Sequence, residues 1–357
     1  MTETFATGGS ERQFAALAKN LDRQAFRISL GCMRRDGAFF DGMSDVAVFP
    51  LGKSLYKLPS WRARARLARH LKHRQVEIAQ AFDFYTNLTL IPAARWARIP
   101  VVLGSQRQLG DLLTPWQFRM QVLTFRLADA VVCNSRAAAN GLRAAGLPGA
   151  KIHVIPNGLP GEAFVPTVPA FPRTSTVSRV GMIARMNSHS KNHSALLRAA
   201  VLLRTQVPQL EIVFAGDGPL RPELERQASD LGLASIVKFV GDRRDVPAVI
   251  ASLDVSVLPS QSESLSNSII ESMAQAVPVV ATRVGGNEEL LGEGRGILTP
   301  ADDDQALADA LATLLLNRSR REEMGIVAQQ YARDHFTIET MCGAYRDLYR
   351  QLLGKKR

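Results

Sequence analysis

Along its second half the chain alternates short runs of β-branched and aliphatic residues with stretches in which apolar positions recur every three or four residues. The first pattern fits a strand buried on both faces, the second a helix lying against the sheet. On that reading residues 179–184 (RVGMIA), 211–215 (EIVFA), 237–240 and 254–258 (DVSVL) are strands, and 193–203, 220–231 and 305–316 are helices. Pro259 closes the last of those strands. Beyond it, the polar pair Ser266-Asn267 can cap a helix whose apolar face is Ile270, Met273, Ala274 and Val277. The first half is less regular. A helix with Phe14, Leu17, Ala18 and Leu21 on one face follows Gly8-Gly9, and strands are expected at 27–31, 76–81, 100–103 and 130–133. A last helix, 338–353, carries the stripe Met341, Tyr345, Leu348, Tyr349 and Leu352. Strands and helices alternating with short connections make this an α/β chain of parallel, doubly wound sheets.

A length of 357 residues with 46% hydrophobic content suffices for two cores. The stretch 166–172 holds three prolines in seven residues and reads as an extended linker between them. Domains are therefore expected at 1–165 and 174–337, followed by the helix from 338 to 357. Charge divides the chain at the same place. Residues 1–170 carry 22 Lys and Arg against 11 Asp and Glu, and residues 171–357 carry 22 against 22, so the net +11 lies wholly in the first part. No run approaches the roughly 20 apolar residues of a membrane span, and the opening MTETFATGGSERQ lacks the basic and apolar regions of a secretory leader. Cys32, Cys133 and Cys342 are isolated, without metal-ligand spacing. These features lead to the expectation of a cytoplasmic protein with reduced thiols. A basic chain invites a nucleic-acid reading, but no aromatic-basic interleaving or zinc spacing accompanies the charge.

The stretch 262–282, SESLSNSIIESMAQAVPVVAT, sets two glutamates eight positions apart, Glu263 in the loop after a strand and Glu271 on the helix that follows. Ligands of open α/β sheets bind beyond the carboxyl ends of the strands, which is where this loop lies. Together with Pro278-Val279-Val280-Ala281-Thr282 and Val284-Gly285-Gly286-Asn287-Glu288, the string resembles the E-x(7)-E motif of the retaining GT-B glycosyltransferases of family 4. The resemblance implies two Rossmann-like domains facing across a cleft, with the last helix crossing back to the first domain. It implies that Glu271 accepts hydrogen bonds from the ribose hydroxyls of a nucleotide-sugar and that Glu263 orients the sugar, with Leu265, Ser266 and Asn267 beside the donor. The bland alternative makes Glu271 a solvated helix residue and Glu263 a loop cap.

Further landmarks match. Arg185 ends the first strand of the second domain and Lys191 precedes the next helix, where a cation opposes the helix dipole unless an anion is bound. In the family such residues neutralise the diphosphate, so no metal or other cofactor is implied; the alternative is two surface cations. Gly8-Gly9-Ser10-Glu11-Arg12 resembles the family's GG-[AS]-E-R pattern, with Gly8 and Gly9 letting backbone amides approach a phosphate. Only residues 1–7 precede it, so either the sheet edge is rebuilt or the start lies upstream. Gly216 and Val240 resemble the surroundings of the base. Asn134-Ser135 and residues 154–158 (VIPNG) match landmarks that shape a domain edge. Asp302-Asp303-Asp304 contains an Asp-x-Asp spacing, yet it opens a helix and is read as first-turn acid rather than a metal site. Many family members carry a histidine where this chain has Phe82. Asp83 is read equally as a loop cap or as an acceptor or sugar contact, and Arg107 as a phosphate or acceptor contact.

The implied activity is retaining transfer of a sugar from a nucleotide-diphosphate sugar to a glycan or lipid-linked acceptor, in envelope or exopolysaccharide synthesis. A catalytically silent nucleotide-sugar binder is the alternative, and no nucleic-acid partner is expected. Residues 62–74 (RARARLARHLKHR) hold six Lys and Arg, namely Arg62, Arg64, Arg66, Arg69, Lys72 and Arg74, with no acid. They are read either as a solvated helix face or as a dock for an anionic membrane, which would make the protein peripheral on the inner membrane face.

Overall fold

The structure is a computed structural model and describes residues 1–5, 8–37, 43, 45–51, 58–174 and 176–356. Ala6 and Thr7, counted above among the residues before Gly8, lie outside them. The chain divides into two units: Met1–Gly158 with the segment from Ile338 onward, and Leu159–Thr337.

In the first unit the elements run α1 (Gly9–Asn20), β1 (Leu30–Cys32), β2 (Val46–Val48), α2 (Leu58–His73), β3 (Ile78–Gln80), α3 (Phe84–Trp96), β4 (Val101–Gln106), α4 (Pro115–Arg126), β5 (Ala130–Cys133), α5 (Arg136–Ala144) and β6 (Ile152–Val154). Strands β3, β4, β5 and β6 form one parallel sheet in that order, and β1 and β2 a second parallel pair. Residues 1–4 bridge the two. Thr2 N donates to Gly31 O at 3.1 Å and Met33 N to Glu3 O at 3.1 Å, while Phe82 N donates to Met1 O at 3.1 Å. Residues 1–4 are thus hydrogen-bonded on both sides, to the β1 strand and its continuation on one and to Phe82 on the other.

Alternate residues of the central strands face two different cores, as parallel strands covered on both faces require. Val101, Leu103, Ala130 and Val132 pack with Phe14 and Leu17 of α1 and with Leu21 at its C-cap, whereas Val102 and Val131 pack with Leu67 and Leu71 of α2 and Ile91 of α3.

The second unit runs β7 (Ser178–Ile183), α6 (His193–Leu203), β8 (Leu210–Ala215), α7 (Arg221–Asp230), β9 (Val237–Phe239), α8 (Val246–Ala251), β10 (Val255–Leu258), α9 (Asn267–Ala274), β11 (Val279–Thr282), α10 (Asn287–Leu291), β12 (Ile297–Thr299), α11 (Asp304–Leu315) and α12 (Arg318–His335). Its sheet is parallel throughout, in the order β12-β11-β10-β7-β8-β9. The order reverses between β7 and β10, and a crevice opens at such a point because the two following loops diverge to opposite faces. The final helix, α13 (Ile338–Gly354), belongs to the first unit. Its Met341, Tyr345, Leu348, Tyr349 and Leu352 complete the core under α1.

The proline-rich stretch is not the boundary. The second unit begins at Leu159, whose N–H donates to Phe336 O at 2.8 Å, and Phe164 is buried in its core. Arg333 Nη2 donates to Phe164 O at 2.6 Å and Gln275 Nε2 to Ala163 O at 2.6 Å. Residues 170–171 are pinned inside the same unit, with Ala170 N on Ala248 O at 2.9 Å and Phe171 N on Ser252 Oγ at 3.0 Å. Proline content made the backbone extended without deciding which core it lies on.

Candidate active site

The reversal between β7 and β10 brings together the loops that carry Arg185, Lys191 and Glu263. Lys191 Nζ donates to Glu263 Oε1 at 2.6 Å, and Ser260 Oγ donates to the same oxygen at 2.8 Å. Gln261 N bonds Ser190 O at 2.8 Å, tying the two loops by their backbones, and Gly286 N bonds Glu263 O at 3.0 Å. Ser266 caps α9 by accepting from Ile269 N, so the helix starts where the polar pair predicts. Glu271 lies one turn into that helix and is buried, with 7% of its surface exposed, so it is not the solvated helix residue of the bland reading. Leu265 and Ser266 are buried beside it. Arg185 is exposed one residue beyond Ala184, which itself continues β7 through Ala184 N on Ala215 O at 3.0 Å.

The β8 loop closes against the β7 loop at two glycines. Gly216 has φ +133° and Gly218 φ +156°, and a Cβ on them would lie 2.2 Å from Ala184 O and 2.4 Å from Met186 O. Side chains there would push away the backbone that presents Arg185. Gly216 N donates to Gly241 O at 2.8 Å, and Val240 N to Phe214 O at 3.0 Å, which sets the backbone of 240–241 next to that of 216. A cavity of about 210 Å³ lies beside the Lys191 loop, lined in part by Ser188, Asn192, Glu223 and Gln261. His193, buried at the start of α6, has its imidazole pushed down to about 4 by burial, with a backbone hydrogen bond at Ala184 opposing that shift.

Asp302, Asp303 and Asp304 are occupied as helix-terminus acids. Asp303 caps α11 through Ala306 N at 2.8 Å, Asp304 pairs with Arg198 at 2.6 Å, and Asp302 accepts from Gln261 Nε2 at 3.3 Å. Among the described residues no group of three His, Cys, Asp or Glu is placed to hold a metal ion.

The remaining sequence candidates belong to the first unit. Gly8 is the N-cap of α1 and Gly9 its first residue, and Glu11 folds back over them, its Oε2 lying 2.1 Å from where a Cβ on Gly8 would stand. Asp83 caps α3: Oδ1 accepts from Thr86 N at 2.9 Å, and Oδ2 from Glu3 N at 2.7 Å and Thr2 Oγ1 at 3.3 Å. With both oxygens engaged and burial pushing its carboxyl up, Asp83 locks residues 2–3 to α3, which is the loop-cap alternative of its two readings. Phe82 is buried in the core, its ring centroid 5.2 Å from that of Phe14. Arg107, next after β4, donates to Asn157 and lies over the Phe82 ring at 5.3 Å, while its Nε is buried with no hydrogen-bond partner.

Sequence reasoning missed Ser260. A serine directly after Pro259 at a strand end is the signal that could have found it, but that position alone does not tell a hydroxyl that caps a turn from one that holds a carboxylate.

Comparison with known proteins finds matches over both units. Residues 7–162 match the family model described as Glycosyltransferase Family 4, and residues 177–317 match that of Glycosyl transferases group 1. The chain is 30% identical over 250 residues to the lipopolysaccharide core biosynthesis glycosyltransferase LpsE of Rhizobium meliloti, covering 70% of this chain and 69% of that protein. It is 28% identical over 263 residues to the GDP-mannose-dependent alpha-(1-6)-phosphatidylinositol monomannoside mannosyltransferase of Mycolicibacterium smegmatis, covering 69% of this chain and 64% of that one. Among solved structures, HepE of Anabaena in complex with UDP superposes with a TM-score of 0.85 at 24% identity, covering 98% of each chain. HepE with UDP-glucose gives a TM-score of 0.82 at 24% identity over 98% of this chain and 99% of that one. Two Rossmann-like units, each built on parallel strands, family matches over both, and a relative matched across two thirds of its length make the chain a GT-B glycosyltransferase of the family 4, group 1 type.

Proposed function

We propose that the chain transfers a hexosyl group from a nucleotide-diphosphate sugar to a glycan or lipid-linked acceptor of envelope polysaccharide synthesis, with retention at the anomeric carbon and without a metal ion. The observation that carries this reading is the pairing of Lys191 with the buried Glu263 where the strand order reverses. A lysine and a carboxylate held together at the mouth of a parallel sheet suit a ligand with an anionic diphosphate and a hydroxyl-rich sugar. Arg185 and Lys191 take the diphosphate, and Glu271 takes the ribose. The backbone around Gly216 and Val240 flanks the base, with Leu265, Ser266 and Asn267 alongside. Glu263 holds the sugar hydroxyls. The bond from the anomeric carbon to the phosphate oxygen breaks as that to the acceptor oxygen forms, and the departing phosphate oxygen takes the acceptor proton on the same face. Cations held near where that charge develops supply the stabilisation a metal ion gives elsewhere.

In the first unit we assign the Gly8-Gly9 amides to phosphate, once Glu11 swings aside, and Arg107 to an anionic acceptor group. The UDP and UDP-glucose complexes of HepE support a nucleotide-sugar donor, and the names of LpsE and the mycolicibacterial mannosyltransferase support envelope or lipid-linked acceptors. The basic face of α2 adds an anionic membrane surface as partner and a peripheral cytoplasmic location. A thermal-shift panel of UDP- and GDP-sugars tests the donor, because a ligand of the folded state raises its stability. One nucleotide-sugar should raise the melting temperature above the others; no shift with any of them would refute the reading.

A further inference from the structure

Glu263 Oε1 receives two donors of unlike character. Lys191 sits on a loop and its side chain is 32% exposed, against 8% for that of Glu263. Ser260 is completely buried, and its carbonyl accepts from the hydroxyl of Thr282 at the end of β11. The lysine can leave; the serine is fixed between β10 and β11. If the proposed function holds, an incoming diphosphate draws Lys191 to itself, and Glu263 then stands buried without its cation partner. A buried carboxylate that loses a donor is costly, and its side chain is no longer aimed. The Ser260 hydroxyl, 2.8 Å away, is the donor that remains, while Gly286 N on Glu263 O at 3.0 Å holds the backbone.

We propose that Ser260 is a positioning residue for the transfer, its hydroxyl keeping the Glu263 carboxylate aimed at the donor sugar after the diphosphate has taken Lys191. It makes no contact with the donor in this scheme and acts only through Glu263. Its removal should therefore separate turnover from nucleotide affinity.

The test is kcat, KM and calorimetric Kd in the full chain for Ser260→Ala and Ser260→Thr, using the nucleotide-sugar that the wild type turns over and its matching nucleoside diphosphate. For Ser260→Ala kcat should fall roughly ten- to a hundred-fold, the loss of one hydrogen bond to a charged group. The Kd of the nucleoside diphosphate should stay within about two-fold. Ser260→Thr should regain most of the rate, and if its methyl proves too large for the buried site, the split in Ser260→Ala decides by itself. Wild-type kcat in Ser260→Ala would overturn the proposal, and so would a parallel loss of nucleoside-diphosphate affinity, which would mark a merely structural serine. A wild type that binds no nucleoside diphosphate would instead remove the proposed function, and this inference with it.

Discussion

Glu263 buries a carboxylate whose Oε1 accepts from Lys191 Nζ, on a side chain 32% exposed, and from the hydroxyl of Ser260. Glu263→Ala should slow turnover severely, whereas Lys191→Ala, which leaves the buried carboxylate without its cation, should also cost stability, read as a lower melting temperature. His193 is a second buried group with a measurable signature. Its pKa of about 4 in the folded chain lies below the unfolded value of 6.5. Between those values the unfolded chain binds a proton that the folded chain refuses, so stability falls as pH drops from about 6.5 towards 4. The penalty is absent above that window and can reach about 3 kcal/mol at its lower end. The melting temperature of His193→Gln should lose part of the wild-type decline below pH 6.5; an identical decline would assign it to other groups. Among single residues, Glu263 and Glu271 stand out because spacing and neighbours form a long string, and both are buried, whereas for Asp83 the sequence left two readings open. A carboxylate after a strand looks the same whether it caps a helix or meets a ligand, and its contacts with Thr2 and Glu3 span some 80 positions of sequence.

Elements were legible where local pattern and packing demand coincide. The strand predicted at 130–133 is β5, and the helix predicted at 193–203 is α6, each bounded by residues whose polarity changes sharply. The position of residues 1–4 was not legible, since a stretch that short carries no periodicity and owes its place to backbone bonds with β1 and Phe82. The linker was misplaced for a related reason: extended backbone is local, but the core it lies on is not. The stripe of α13 was read correctly as apolar, and its burial gives that stripe a consequence. Tyr345 is fully buried between Phe82 and Tyr349, so Tyr345→Ala should cost roughly 3 to 5 kcal/mol. Truncation before Ile338 should leave the first unit molten while the second keeps its own core. Limited proteolysis checks this, and a truncated chain with a protease-resistant first unit would contradict it.

For the molecule as a whole, charge and exposed tryptophan mark the first unit. On α2, Leu67 and Leu71 are buried in the core, which leaves Arg62, Arg66, Arg69 and Lys72 outward together with Trp61, 60% exposed. Arg64 is partly committed, donating to Leu88 O at 3.2 Å, and Arg74 pairs with Asp45 at 3.2 Å. Four outward cations at about 1 kcal/mol each suffice for reversible, salt-sensitive adhesion. Flotation should therefore find the protein on anionic vesicles at low salt and free of them at high salt, with Arg62, Arg66 and Arg69 changed to Gln abolishing the association; no adhesion at low salt would leave α2 a solvated face. The central claim, a nucleotide-sugar site built on Glu271 and the paired Lys191 and Glu263, has a more direct test. The nucleotide-sugar that gives the largest thermal shift is titrated calorimetrically, with chelator present, into the wild type and into Glu271→Ala. The wild type should bind it saturably in chelator, and Glu271→Ala should bind more weakly by roughly 1.5 to 3 kcal/mol, the worth of hydrogen bonds to a charged group. Equal affinity in the two proteins, or wild-type binding that chelator abolishes, would contradict the account.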